Sequence, residues 1–336
     1  MEAVGAMSGT ALVTGSRGFA AGWLCKALLE DGYSVAGLDR PPSGERPSSL
    51  ALLDIEGEVE EVQVDLCDAA KVNSAVAEAR PDLVFHLAAQ TQVGEANRSP
   101  LPTFEVNVAG TWNLLEAIRG LDSGTLTVVA SSDKAYGVQE DLPYVEDAPL
   151  LASYPYDASK AAADLIARSY WATYQMPVAV TRFANIYGGA DLNFARLIPE
   201  TISALLSGRS PVLRSDGSPE RDYLYVTDAA AAYLAVARSL EGEGPAAGEA
   251  FNAGSGRPWS VLEVVEIICD ISASDLRPEV RGSGTPPGEI DRQFLDSSKI
   301  GEICGWRPEV DLREGLEITY GWYSDHPEAV SREPVS

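Results

Sequence analysis

Thr10-Ala-Leu-Val-Thr-Gly15-Ser-Arg-Gly18-Phe-Ala-Ala21-Gly22-Trp23-Leu24 is a short apolar run, a glycine turn and the start of a helical pattern. A strand that runs through such a turn into a helix makes a cradle for an anion. Gly15 supplies the tight turn, Gly18 lets the backbone approach a pyrophosphate, and small Ala21 or Gly22 allows close packing, with the anion at the helix N-terminus. A glycine turn by itself is also what an ordinary strand-to-helix connection needs. The next strand, Ser34-Val-Ala-Gly-Leu38, ends in Asp39, where a carboxylate binds the hydroxyls of an adenosine ribose. That favours NAD over NADP, with adjacent Arg40 as the feature that would soften the discrimination. Val62-Gln-Val-Asp65-Leu66 reads as a third strand whose terminal acid suits the adenine amine. Taken alone, Asp65 fits equally well as the cap of a helix from Ala69.

Outward from this stretch the pattern repeats. Leu83-Val-Phe-His-Leu87 reads as a strand, Thr103 to Arg119 as a helix, Leu126-Thr-Val-Val-Ala130 as a strand, Ala158 to Tyr174 as a helix and Val178-Ala-Val-Thr-Arg182 as a strand. Strand and helix in alternation predict an α/β fold with a doubly wound parallel sheet of the Rossmann type. After about Asn185 the regularity is lost, with Gly/Pro-rich joints at Gly188-Gly189, Gly242 to Gly248 and Gly282 to Gly288. The expected organisation is a cofactor-binding domain over residues 8–186 and roughly 222–256, and a smaller mixed α/β substrate-binding domain over 187–221 and roughly 257–328. Residues 329–336 read as a tail, disordered from Ser331, and Pro41 to Ser49 as a flexible loop.

Composition sets the outer bounds. A chain of 336 residues with 45% apolar content is globular and too long for one ordinary core. No apolar run is long enough to span a bilayer and no basic-then-apolar segment opens the chain, so the expectation is a cytoplasmic protein without a membrane partner. Cys25, Cys67, Cys269 and Cys304 are far apart, form no metal spacing and read as free thiols, and no other metal constellation stands out. A net charge of −25 argues against nucleic acid as a partner. Both histidines, His86 at a strand end and His326 near the tail, read as ordinary.

Two of the five lysines fall in motifs that belong together, Ser131-Ser132-Asp133-Lys134 and Tyr156-Asp157-Ala158-Ser159-Lys160. Tyr and Lys four apart on a helix share a face, so an ammonium can hold a phenolate and let Tyr156 act as a base near neutral pH. Chance alone gives roughly 0.2 such pairs in a chain with 13 Tyr and five Lys, and an exposed Tyr and Lys on a solvated helix would look the same. Context carries the weight. Ser132, Asp133 and Lys134 lie just past the carboxyl end of a strand, where doubly wound sheets place ligands.

From about Thr10 to Tyr323 the chain resembles the extended short-chain dehydrogenase/reductase family, in particular its nucleotide-sugar modifying enzymes. The resemblance rests on the Gly15 fingerprint, His86-Leu-Ala-Ala-Gln90, Asn107-Val-Ala-Gly110-Thr111, the Tyr156/Lys160 pair and Arg182-Phe-Ala-Asn185-Ile-Tyr-Gly188. Gly18-Phe19 leading into Trp23-Leu24, Ser132-Asp133-Lys134 followed by Tyr136, and Asp191-Leu-Asn193-Phe-Ala-Arg196 are most similar to the CDP-glucose 4,6-dehydratases. Sister dehydratases usually carry an Asp-Glu pair where this chain has Asp133-Lys134. The resemblance implies NAD as cofactor, held along Gly15, Arg17, Gly18, Phe19, Asp39, Arg40, Asp65, Leu66, Leu87, Ala88, Ala89, Asn107, Tyr156 and Lys160. It further implies a CDP-hexose as the favoured substrate and a homodimer formed through two helices per protomer.

In the mechanism the resemblance implies, Tyr156 removes the proton of the C4 hydroxyl while the C4 hydride passes to NAD, and Ser132 hydrogen-bonds that hydroxyl. The C4 ketone acidifies C5. A protonated Asp133 then donates to the departing C6 hydroxyl, and the hydride returns to C6. Lys134 would act as the C5 base, stabilise the enolate electrostatically, or pair with Asp133. Asp133 as a turn-former and Ser132 as a backbone cap are the structural alternatives. Gln90, Asn185, Asn193, Arg196, Arg221 and Arg292 are the expected substrate ligands, with Asn185, Arg221 and Arg292 on the diphosphate because guanidinium groups match phosphate oxygens in pairs. Each Arg alone reads as well as a surface salt bridge. The competing activity is a 4-epimerase, which shares Ser132, Tyr156, Lys160 and NAD but needs no acid and base at Asp133 and Lys134. A non-catalytic NAD-binding protein is the third reading.

Overall fold

The computed structural model describes residues 9–41, 47–242, 244–284 and 290–330. Seven strands, β1 (Thr10–Thr14), β2 (Ser34–Asp39), β3 (Val59–Gln63), β4 (Leu83–His86), β5 (Leu126–Ala130), β6 (Val178–Phe183) and β7 (Ala250–Ala253), form one sheet in the order β7-β6-β5-β4-β1-β2-β3. Every neighbouring pair is parallel. The central strands are apolar at successive positions because both faces are covered. Val13, Phe85 and Val128 enter one core, whereas Leu12, Val84 and Val129 enter the core on the other face. The doubly wound sheet expected from the alternation is thus present, with the order changing direction between β1 and β4.

Five helices frame this sheet for the site: α1 (Phe19–Glu30), α2 (Ala69–Ala79), α3 (Gly110–Arg119), α4 (Pro155–Tyr174) and α5 (Val226–Arg238). The third strand lies earlier than its sequence suggests, at Val59–Gln63 instead of Val62 to Leu66. It is an edge strand in which Glu60 and Glu61, on opposite faces, are both exposed and mask the apolar signal, and its pairing with β2 ends at Asp39 and Gln63. Asp68, whose side chain accepts from the Lys71 amide, caps α2; Asp65 instead accepts from the Cys67 amide at 2.9 Å in the preceding turn. The single helix expected over Thr103 to Arg119 is three pieces, Pro100–Phe104, a π-helical turn Glu105–Ala109, and α3. The fourth helix starts earlier than expected, at Pro155, where the fixed φ of proline suits the first turn.

Past β6 the chain builds small sheets. Asn185–Tyr187 pairs with Tyr223–Tyr225, and Glu220–Arg221 lies between Trp259–Ser260 and Arg292–Gln293. A third core gathers Tyr187, Ile198, Ile202, Val264, Ile268, Leu316 and Tyr323 from the segments around these strands. The tail from Ser331 and residues 42–46 of the loop from Pro41 to Ser49 lie outside the described residues.

Candidate active site

The glycine turn after β1 has the shape its sequence requires. Gly15 has φ +71°, and a Cβ there would sit 2.8 Å from the Ala88 Cα, so the turn after β1 and the loop after β4 touch backbone to backbone. Gly18 is the N-cap of α1 and offers no side-chain cap, and the first turn of α1 holds no acid. The open amides of that turn suit an anion. Gly22 allows the expected close packing, against Ser49: a Cβ there would fall 2.1 Å from the Ser49 hydroxyl. Asp39, at the end of β2, accepts from the Arg17 amide at 3.1 Å and the Arg40 amide at 2.7 Å, which fixes the carboxylate and leaves further lone pairs free. The Arg17 guanidinium turns away to Glu61 at 2.8 and 2.9 Å. A glycine cradle closed by Ala88, an uncapped helix start and an anchored acid fit NAD.

Asn107 lies in the π-turn and is buried. Its side-chain oxygen accepts from the Gln90 amide at 2.7 Å, and its amide group donates to the Gln90 carbonyl at 3.1 Å and the Ser159 hydroxyl at 2.9 Å. Both donors are used inside the protein, so Asn107 holds the loop from Leu87 to Gln90 against α4. The Gln90 side chain is also engaged, donating to Thr103 at 3.2 Å and accepting from the Gln92 amide at 2.5 Å. Leu66 is held by its carbonyl, which accepts from Asn113 at 2.8 Å.

Tyr156 and Lys160 both lie in α4 and are buried. Lys160 donates to the Ala130 carbonyl at 2.8 Å, and its own carbonyl accepts from Ser131 at 3.0 Å, which ties α4 to the carboxyl end of β5. Burial lowers the Lys160 ammonium to about 8. Burial pushes the Tyr156 phenol up to about 12; Asp133 and Asp157 add to this, and Arg196 and a contact from Ser132 oppose it. The expected phenolate held by a neighbouring ammonium is therefore not a property of the chain alone. Burial outweighs the cations, and the cation that lowers Tyr156 is Arg196.

Ser132, Asp133 and Lys134 form a short 3-10 turn past β5. Ser132 accepts from the Lys134 amide at 3.2 Å and donates to Asp133 at 3.0 Å, so it caps the turn and orients the acid together. Asp133 is buried, and its second oxygen has no partner. Burial raises its carboxyl to about 6 against the pull of Lys134. Lys134 is half-buried.

The second region brings its residues together less evenly. Asn185 donates to the Asp222 carbonyl at 3.2 Å, and Arg221 is buried and donates to the carbonyls of Glu220 at 2.8 Å and Asp291 at 3.2 Å. Asn193 accepts from the Ala195 amide at 3.2 Å; Arg196 pairs with Asp191 at 2.9 Å and lies 6.0 Å from the Phe19 ring at the start of α1. Arg292 pairs with Glu220 at 2.5 Å and is about half exposed. In the strand register Arg292 stands opposite Glu220 and Gln293 opposite Arg221, so the two arginines project from opposite faces of the small sheet.

Two features are not evident in the sequence. Arg182 is almost fully buried, grips Asp164 at 2.7 and 3.1 Å and donates to Tyr136 at 2.9 Å. Tyr136 in turn donates to Asn252 at 2.7 Å, so this network fixes the turn that carries Asp133 and Lys134. An arginine inside an apolar strand requires a buried partner, and that is the signal by which it could have been found. Gln293 is fully buried beside Arg221 with both amide atoms unpartnered; nothing in its sequence marks it. Among the described residues no group of side chains could hold a metal ion, and no helix is long and apolar enough to cross a membrane.

A Rossmann sheet with a Ser, Tyr and Lys at the carboxyl end of β5 defines a dehydrogenase-type protein built around a dinucleotide. The family described as GDP-mannose 4,6 dehydratase matches residues 12–319. The UDP-glucose 4-epimerase of Mycolicibacterium smegmatis is 33% identical over 93% of this chain and 97% of its own length. The dTDP-glucose 4,6-dehydratase 1 of Escherichia coli is also 33% identical, over 93% of this chain and 92% of its own. The structure of dTDP-glucose 4,6-dehydratase from Bacillus anthracis in complex with NAD superposes with a TM-score of 0.83 at 27% identity, covering 95% of this chain and 97% of that one. The chain belongs to the extended short-chain dehydrogenase/reductase family of NAD-dependent nucleotide-sugar epimerases and dehydratases.

Proposed function

We propose that the chain is a nucleotide-sugar 4,6-dehydratase acting by preference on a CDP-hexose. The observation that carries this reading is Asp133, a buried carboxyl raised to about 6 with one oxygen free of partners, set between Lys134 and the Ser132 that donates to it. A carboxyl that holds its proton more tightly than an ordinary one, and so can give it to a leaving group, is what loss of the C6 hydroxyl needs and what inversion at C4 does not. Bound in its cradle, NAD supplies the hydride acceptor for oxidation at C4 and the donor that restores the hydride at C6. Tyr156 takes the C4 hydroxyl proton once the cofactor and substrate have changed its surroundings, and Ser132 turns to that hydroxyl. Lys134 faces C5 as the base that takes its proton, or as the cation that steadies the enolate while water or another group takes that proton. Asn185, Asn193, Arg196 and Arg221 hold the sugar and diphosphate, with Gln90 at the sugar; Arg292, on the opposite face of the small sheet, would join them only if the short strands twist on binding. The CDP preference rests on the Asp133-Lys134 pair, which departs from the Asp-Glu pair usual in sister dehydratases.

The 4-epimerase reading is kept because the Mycolicibacterium relative named a UDP-glucose 4-epimerase matches 93% of this chain. We also read the chain as a homodimer, because Leu101, Phe104, Trp112 and Leu165 expose apolar side chains on the helices Pro100–Phe104, α3 and α4. Light scattering that finds monomer alone removes that reading. The deciding experiment is incubation of the purified chain with NAD and CDP-, dTDP-, GDP- and UDP-hexoses. Loss of one water with a new C6 methyl signal establishes the dehydratase and names its nucleotide. An isobaric product inverted at C4 establishes the epimerase, and NAD binding without turnover means neither.

A further inference from the structure

We infer that His86 is a positioning residue that locks the loop after β4 to the π-turn and, through Asn107, to the catalytic turn at Tyr156. The inference deepens the reading of Tyr156 as the proton acceptor and rests on it. The chain of contacts is continuous. The Ala88 amide donates to Thr14 Oγ1 at 3.1 Å, Thr14 Oγ1 lies 2.8 Å from His86 Nδ1, and His86 Nε2 lies 2.9 Å from Thr111 Oγ1. Thr111 then donates to the Asn107 carbonyl at 2.7 Å, Asn107 donates to Ser159 at 2.9 Å, and Ser159 donates to the Tyr156 carbonyl at 2.6 Å.

The protons along this chain have one consistent arrangement. Thr111 spends its hydroxyl proton on Asn107, so it can only accept from His86, which places the imidazole proton on Nε2. Nδ1 then accepts from Thr14, whose oxygen is left to receive the Ala88 amide. Every link points the same way, from the loop that closes the glycine cradle to the base of Tyr156. The imidazole is buried, and that burial together with the Lys160 cation lowers it to about 3, so the ring is neutral at ordinary pH and its one proton can follow this arrangement. A histidine that merely filled a strand end would need partners, yet those partners need not run on to the π-turn. Such turns interrupt helices mostly at functional sites, and this one frees Asn107 to face Gln90 and Ser159.

The test uses the full chain with NAD and three variants, His86→Leu, His86→Gln and Thr111→Val. Expected for His86→Leu and Thr111→Val is a loss of about 10-fold to 100-fold in kcat with KM within about 3-fold, the pattern of a misplaced reacting group. NAD affinity should weaken, and amide exchange over residues 105–111 should quicken while β5 stays protected. His86→Gln, which offers both an acceptor and a donor, should recover part of each loss. Wild-type kcat per folded molecule in Thr111→Val, or a uniform loss of protection across the sheet, overturns the proposal; Thr111→Val also decides the matter if His86→Leu does not fold. Should the wild-type chain turn over no nucleotide sugar, NAD affinity and local exchange still read the His86 link, so the two failures remain distinct.

Discussion

The carboxyl end of the parallel sheet and the small sheet around Glu220–Arg221 both hold charged side chains within the protein, and they do so by opposite means. At the first, Lys160 lies in the 20-residue helix α4 and Asp133 in the short turn that follows β5, and β5 is fixed within seven strands of parallel pairing. At the second, Arg221 sits on a two-residue strand and is held by carbonyls and by the turns on either side. Asp222 supplies the stiffness there, accepting from the Ser255 amide at 2.9 Å, its hydroxyl at 2.6 Å and the Gly256 amide at 3.1 Å. A site on long elements keeps its geometry when one side chain is cut, whereas one built from short strands depends on each polar contact.

The sharpest way to press this comparison is Tyr156→Phe, which removes one oxygen from the rigid side. Turnover should fall about 10²-fold to 10⁴-fold, with NAD affinity and unfolding midpoint close to wild type. A large loss of stability would show that α4 is less well fixed than its contacts imply. Next in size is Arg182→Met. It leaves Asp164 buried with the more distant Arg168, at 3.3 Å, as its remaining cation, and denaturant unfolding should register a loss of about 3 kcal/mol. Because Tyr136 loses its donor in the same variant, kcat should fall further than the population of folded protein does.

The two regions also differ in how far they can be read from the residues. β1, β2, β4, β5 and β6 are apolar on both faces, so short continuous runs reveal them. β3 hides behind Glu60 and Glu61 because an edge strand tolerates exposed charges that interrupt its apolar run. Gly15, Asp39, Ser132, Tyr156 and Lys160 were legible because strand ends and helix starts fix where they must lie. The Arg182 network, the π-turn under Asn107 and the opposite facing of Arg221 and Arg292 were not legible, since each depends on which distant segments meet. Periodicity reports one element's faces and carries no information on the partner across a small sheet.

On stability the effect of Asp133→Asn is at most comparable, and it has a sign fixed by the raised carboxyl. Burial lifts Asp133 from the usual carboxylate range to about 6, so between those values the unfolded chain has released a proton that the folded chain retains. Stability therefore falls as pH rises through that window and stays reduced above it. A carboxyl displaced that far changes the folding free energy by about 3 kcal/mol at most. Denaturant unfolding should show the variant equal to wild type in strong acid and more stable by up to that amount at neutral pH. The same variant should lose water elimination, because an amide is far too weak an acid to protonate the departing hydroxyl. A variant with no stability gain at neutral pH would mean that Lys134 and Arg221 compensate the anion fully.

The smallest effects come from the second region and separate its two arginines. Arg221→Met leaves the carbonyls of Glu220 and Asp291 without this donor and removes a buried cation near Asp133. Arg292→Ala gives up a half-exposed pair with Glu220, worth about 1 kcal/mol or less. If diphosphate is held from the buried face alone, Arg221→Met should raise KM for the nucleotide sugar about 10-fold to 100-fold, while Arg292→Ala changes it less than about 3-fold. Comparable losses in both would require the short strands to twist on binding so that the faces converge. Measuring KM for the nucleotide sugar beside the affinity for free nucleoside diphosphate in each variant tells these outcomes apart, because an arginine that meets only the diphosphate shifts the two constants by the same factor.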